Sequence, residues 1–174
     1  MNLFFRRIWI YLSTLFLSKR APLTQPYARP YRVWISDQDM FMHMTNSRYL
    51  SFADLARLNL LIRTGLREQL RKRKWRLEIC GQTRTITRML KAPQRFQVVC
   101  EIDGWQDTFI AFRHRFVRGD KIHAEVNTLM RVANAEGAVI DAVDLISTVD
   151  DDLGSSDLSE IFIDLVAQSN ALQG

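Results

Sequence analysis

The sequence predicts an α+β domain in which one antiparallel sheet wraps around a long buried helix. Three observations carry that prediction. Residues 49–62 put Tyr49, Leu50, Phe52, Ala53, Leu55, Ala56, Leu58, Leu60, Leu61 and Ile62 on nearly every face of a helix, so it is expected to be buried on most sides. Residues 77–148 read as strand-like segments joined by short turns, and short turns make antiparallel neighbours. The strands are not interleaved with helices, which separates the chain from the parallel α/β class.

One domain accounts for 174 residues that are 47% hydrophobic and 25% charged. The net charge of +5 conceals an asymmetry. All 24 Lys and Arg lie at or before Arg131, among only ten acids, and the nine acids from Val132 onward are joined by no basic residue. The first 131 residues therefore carry +14 and the remainder −9. A basic body suits an anionic partner, such as a phosphate-bearing small molecule, an acidic protein or a lipid surface. An acidic tail folded back on the body would satisfy the same charges. No nucleic-acid motif accompanies the basic residues, and nucleic acid is not an expected partner. Cys80 and Cys100 lie in strand-like runs without metal or disulfide spacing and read as small buried hydrophobes, compatible with a reducing compartment. No metal and no cofactor are expected.

Residues 1–20 place Arg6 and Arg7 before the apolar run 8–17, which is too short to span a bilayer and is diluted by Ser13 and Thr14. No small-residue cleavage site follows, as a secretory signal requires. The basic flanks, Trp9 and Tyr11 suit a helix lying on a membrane surface. A terminal helix docked on its own domain or on a partner copy suits them equally, and an uncleaved anchor comes third. Pro22, Pro26 and Pro30 mark residues 21–30 as a linker. A first strand is expected over 31–35, ended by the turn residues Ser36 and Asp37, and the central helix over about 47–64 with Gly65 as its C-cap. Residues 66–76 form a short basic helix or loop. Strands follow over 77–90, 96–102, 108–117 and 121–133, with a last one over 138–148, and Asp103-Gly104 is a hairpin signal. Over 108–117, Ile110, Phe112, His114 and Phe116 alternate with Phe109, Ala111, Arg113 and Arg115, so one face meets the core and the other water. An acidic linker then leads to an amphipathic C-terminal helix. Leu158, Ile161, Phe162, Leu165 and Val166 form its stripe, and Asp157 and Glu160 have capping-box spacing. That helix either docks on the body or serves as a lid or partner-binding element. The expected organisation is an N-terminal helix and linker at 1–29, the main domain at 30–149, and an acidic linker with a C-terminal helix at 150–174.

Chemistry concentrates between the first strand and the central helix. Asp37, Asp39, His43 and Asn46 lie within ten residues, where acids meet free backbone N–H groups and a favourable helix dipole. The order Asp-x-Asp, three residues, His, two residues, Asn, followed by Tyr49-Leu50 and Ala56-Arg57, resembles the opening motif of hotdog-fold acyl-CoA thioesterases of the 4-hydroxybenzoyl-CoA thioesterase type. The stretches QRFQVVCEIDGWQD at 94–107 and RFVRG at 115–119 fit the same family, and the resemblance covers roughly residues 30–147. One departure stands out: Thr45 occupies the place where the family usually has the first of two asparagines.

The resemblance implies the hotdog fold and hydrolysis of a thioester of coenzyme A or of an acyl carrier protein. It makes Asp39 the base or nucleophile, with His43 and Asn46 beside it and the carbonyl polarised at the start of the central helix. Tyr49, Asp54 and Arg57 are the candidate substrate contacts. Each has a plainer reading. Asp37 is a turn-capping residue, Asn46 a helix N-cap, and Asp54 an ion-pair partner of Arg57 three residues on. His43 orients Asp39, lines a channel or is structural. The family also implies a homodimer or dimer of dimers that joins sheets edge to edge and builds its sites at the interface. The expected location is cytoplasmic, at the cytoplasmic membrane surface where residues 1–20 lie on it. A binding module that holds an acyl chain or acyl-CoA without turnover is the alternative on the same fold. No Gly-x-Ser-x-Gly elbow is present for the other common thioesterase chemistry.

Overall fold

The computed structural model describes residues 21–171. The expected surface helix at 1–20 lies outside the described residues. No helix among the described residues is long and apolar enough to cross a membrane.

Asn46–Thr64 is the central helix, α1, and it buries Tyr49, Phe52, Ala53, Leu55, Ala56, Leu60 and Leu61. It stops at Gly65, whose φ of 85° suits a residue without Cβ and whose N–H donates to the Ile62 carbonyl. Helix α2, Leu66–Arg73, follows at once, so the basic run is helical. The sheet contains β1 (Tyr27–Arg32), β2 (Arg76–Ile86), β3 (Arg95–Gln106), β4 (Phe109–Arg118) and β5 (Lys121–Ala133) in the antiparallel order β1-β3-β4-β5-β2. The two-residue β6, Val139–Ile140, pairs with the end of β5. The inner face sends Val98, Ile110, Phe112, Phe116, Val126 and Met130 toward α1. Tyr31, Tyr49, Phe52, Phe96 and Phe116 interlock there, with ring centroids 5.1–5.9 Å apart. The α+β reading, with a sheet curved over one greasy helix, holds.

Several elements differ from expectation, each for a physical reason. The first strand runs over Tyr27–Arg32 and not 31–35, and residues 21–30 are not a free linker. Leu23 is buried, the Ala21 N–H donates to the Arg63 carbonyl at 3.1 Å, and the Tyr27 hydroxyl donates to the Pro22 carbonyl at 2.7 Å. Pro30 is tolerated because β1 is an edge strand, where a missing N–H costs little. Residues 35–37 form a 3-10 turn. Asp103-Gly104 is not a hairpin: β3 continues to Gln106, with a bulge between Ile102 and Gly104. Beyond β6 the expected last strand is the helix α3, Ala142–Ser147. Asp141 caps it by accepting from the Val143 N–H at 2.9 Å, and Ala142, Leu145 and Ile146 sit at helical spacing on its buried side.

The outer face of the sheet is covered by α4, Glu160–Ala171. Leu158, Phe162 and Leu165 pack on Ala111 and Leu129, with Ile161 at the exposed margin of the stripe. This cover is why Ala111 and Leu129 are buried on the face that alternation assigns to water. The capping arrangement differs too: the Phe162 and Ile163 N–H groups donate to the Ser159 carbonyl, and Asp103 holds the Ser159 hydroxyl at 2.7 Å. A Cβ on Gly104 would lie 2.4 Å from the Asp157 carbonyl oxygen, so the glycine admits the approaching C-terminal segment.

Candidate functional site

The turn between β1 and α1 is fastened by its two acids in different ways. Asp37 is completely buried. Its Oδ2 accepts from the Trp34 N–H at 2.9 Å, its Oδ1 lies 3.3 Å from Arg48 Nε, and its carbonyl accepts from the Thr45 N–H. It is a capping and anchoring residue, which is one of the readings open in the sequence. Asp39 is exposed. Its Oδ1 accepts from the backbone N–H groups of Phe41 at 2.9 Å and His43 at 3.2 Å, and its own N–H donates to the His43 carbonyl at 2.9 Å. Asp39 Oδ2 has no hydrogen-bond partner among the described residues. The amides that hold the carboxylate thus come from its own turn and not from the helix. Met42 has φ of 62°, a left-handed conformation uncommon for such a side chain. The Gln38 side-chain amide donates to its carbonyl and helps to hold it.

His43 is half-buried, four residues from Asp39 and tied to it through the backbone. Asn46 is not the N-cap. Thr45 takes that position, with extended backbone and no side-chain bond to a helix N–H, its hydroxyl lying 3.2 Å from that of Ser47 instead, and Asn46 is the exposed first residue of α1. Its carbonyl accepts from Arg84 Nη1 at 3.2 Å. Tyr49 is fully buried, and its hydroxyl accepts from the Leu90 N–H at 3.1 Å, so it fastens α1 to the turn after β2. Burial pushes its pKa up.

Asp54 and Arg57 lie farther along α1, beside a groove of about 980 Å³ between α1, α2 and the start of β2. Asp39, His43, Asn46 and Tyr49 do not line it. Asn46 and Asp54 are eight residues apart, roughly 12 Å along a helix axis. Within one chain the structure therefore brings Asp39 and His43 together, brings Asp54 and Arg57 together, and keeps the two pairs apart. Arg57 Nη2 lies 2.5 Å from Asp54 Oδ1. The Arg57 side chain is only 8% exposed, and its guanidinium sits 5.9 Å over the Phe112 ring. The groove floor is apolar, with Leu58, Leu61, Trp75 and Met130, and Arg67, Arg71 and Arg76 stand at its rim. These lining residues were missed by sequence reasoning. The basic run signalled the rim, but nothing local signals that α2 would fold beside α1 and hold the two surfaces apart.

The remaining titratable core groups are quiet. His114, on the inner face, has Nδ1 3.0 Å from the Val126 carbonyl. Burial first, and the nearby Arg57 charge second, push its pKa down to about 3. Burial pushes the Cys100 thiol up to about 12, so this cysteine behaves as the expected inert hydrophobe.

The family model of the thioesterase-like superfamily matches residues 33–155. A stretch of 114 residues is 29% identical to protein THEM6 of Danio rerio, covering 66% of this chain and 56% of that relative. THEM6 of Xenopus laevis is 32% identical over 81 residues, 47% of this chain and 39% of the relative. The chain thus spans about half the length, or less, of these curated relatives. Among solved structures, a mutant 4-hydroxybenzoyl-CoA thioesterase in complex with 4-hydroxybenzoyl-CoA superposes with a TM-score of 0.65 at 15% identity, over 73% of this chain and 100% of the other. The fold is the hotdog fold that the turn motif implied.

Proposed function

The chain belongs to the thioesterase-like superfamily, and on that premise we propose that it hydrolyses an acyl thioester of coenzyme A to the free acid and thiol. The observation that carries the proposal is the state of Asp39: one oxygen is held by two backbone N–H groups, while the other is open on an exposed turn that leads directly into a buried helix. A carboxylate so oriented can attack the thioester carbonyl or take a proton from water that does. The Arg48 N–H of the first turn of α1 donates to the Thr45 carbonyl, which leaves the Asn46 and Ser47 amides at the helix start to polarise the carbonyl oxygen. Direct attack forms a mixed anhydride and expels the thiolate, and water then cleaves the anhydride. His43 and Asn46 flank the reacting group in this reading.

The groove suits the rest of the substrate. Its apolar floor matches an acyl chain, and its arginine rim matches coenzyme phosphates or an acidic carrier. The separation of the groove from Asp39 in one chain is the reason to propose at least a homodimer, joined along the edge strand β2, in which one copy's turn meets its partner's groove. Light scattering is expected to give about twice the 20.3 kDa chain mass. The test is a panel of acyl-CoAs assayed for released thiol and, in parallel, for binding. Turnover supports the enzyme. Binding of an acyl-CoA with no thiol release from any member of the panel would overturn it in favour of a holding module, the reading that Thr45 in place of asparagine favours.

A further inference from the structure

Two arginines reach the start of α1, and only one of them has an anion there. Arg48 Nε lies 3.3 Å from the buried Asp37 carboxylate, and Arg48 Nη2 donates to the Ser36 carbonyl at 3.3 Å. Arg84 comes from β2. It pairs across the sheet with Val126, a core residue of the inner face, so it shares that face and reaches toward α1. Its Nη1 donates to the Asn46 carbonyl at 3.2 Å, and no carboxylate among the described residues accepts from its other donors. Four other arginines of the sheet do have carboxylates: Arg76 and Arg131 pair with Glu78, Arg113 with Asp103, and Arg115 with Glu101. A cation at the start of a helix meets the positive end of the helix dipole, a position that is unfavourable unless an anion shares it. Asp37 is that anion for Arg48. For Arg84 the described residues supply none.

On the reading of the chain as a thioesterase, on which this role rests, the substrate supplies the anion. Attack on the thioester carbonyl puts negative charge on its oxygen, and the Asn46 and Ser47 amides are free to meet it. Arg84 is anchored on the same peptide group. The Asn46 carbonyl and the Ser47 N–H belong to one planar unit and point opposite ways, so the bond to the carbonyl fixes the direction of the N–H. We propose that Arg84 is a further catalytic residue, whose guanidinium joins these amides on the thioester oxygen as negative charge develops there. A neutral carbonyl gains little from the cation and an oxyanion gains much, so the effect falls on the chemical step and not on binding. Asp39 does not compete for the charge, because neither group bonds the other. The role does not require Arg84 to be open to solvent. The dimer proposed above joins along β2, which puts Arg84 at the seam where the site is built. Closing that seam would exclude water around the cation and strengthen its pull on the oxygen.

Arg84→Gln removes the charge and keeps a donor, whereas Arg84→Lys keeps the charge without the planar fork. Thiol release by both full-length variants is measured against the parent, with circular dichroism and light scattering alongside. Arg84→Gln should lower kcat by about tenfold to a hundredfold, with KM changed by less than about threefold. Arg84→Lys should recover most of that loss. Binding is measured in parallel for two coenzyme A thioethers of equal acyl length, one carrying a neutral ketone at the place of the carbonyl and the other an anionic phosphinate. The parent should prefer the phosphinate, and Arg84→Gln should reduce that preference by about tenfold while binding the ketone as before. Neither analogue turns over, so a parent that releases no thiol and still shows this loss would support the Arg84 contact while overturning the hydrolysis. A parent with no phosphinate preference, or folded Arg84→Gln with unchanged preference or unchanged kcat, would overturn the proposal. So would equal losses in Arg84→Gln and Arg84→Lys accompanied by a change of mass, which would make Arg84 a contact between copies.

Discussion

Replacing Asp39 by asparagine separates the chemical role of the carboxylate from its structural one. The substituted side chain would keep an amide oxygen where Oδ1 accepts from Phe41 and His43, so the turn should survive with both bonds weakened from charge-assisted to neutral. The residue is exposed, and the expected stability loss is no more than about 1 kcal/mol. The charge and the basicity are gone. If Asp39 attacks or activates water, kcat should fall about a hundredfold or more, equivalent to roughly 2.7 kcal/mol of barrier. KM should change little, because the groove residues are untouched. Asp39→Ala removes both backbone bonds as well, and should cost about 1–2 kcal/mol of stability with a kcat loss no smaller. The assay is thiol release from the best acyl-CoA of the panel, alongside thermal unfolding and light scattering. Full turnover by folded, dimeric Asp39→Asn would refute the role and leave His43 or Asp54 as the acid–base group.

Other outcomes follow from the packing. Asp54→Asn should lower stability by about 1 kcal/mol, because Arg57 loses its partner at a half-exposed pair, while kcat changes less than twofold; denaturant melts and the same thiol assay check both. Gly104→Ala should detach the C-terminal segment, because the new Cβ cannot share space with the Asp157 carbonyl; a loss of about 3 kcal/mol and new proteolytic cleavage near residues 150–160 are expected. His114 stays neutral in the fold, with its pKa pushed down to about 3, whereas the unfolded chain binds its proton near 6.5. Its contribution is therefore complete above pH 6.5 and is lost as pH falls toward 3, by up to roughly 1.4 kcal/mol per unit. His114→Gln should flatten the slope of unfolding free energy against pH in that window.

The periodicity of the chain was enough to determine the central helix and the antiparallel meander, because the partition of apolar side chains is a local property. Residues 49–62 are apolar on nearly every face of a helix that stops at Gly65, and residues 121–127 alternate apolar with polar side chains. The turn motif likewise put Asp37 and Asp39 next to a helix start, and the resemblance to the family singled out Asp39. Boundaries that depend on partners were not legible. Gly104 reads as a turn residue until the Asp157 carbonyl is seen where its Cβ would be. Residues 142–147 read as strand until Asp141 caps them as a helix. Only the tertiary structure decided which acids face what. Two aspartates separated by one residue became a buried anchor and an open carboxylate, because the 3-10 turn aims one at Arg48 and the other at solvent. Arg57 and His114 are 57 residues apart in the chain, yet the arginine's charge adds to the lowering of the histidine's pKa, because α1 lies across the inner face of β4. The exposed Trp34 and Met40-Phe41-Met42 are equally a product of the fold. The fold carries them at the surface, with the Trp34 N–H held by Asp37 and the Phe41 and His43 N–H groups held by Asp39.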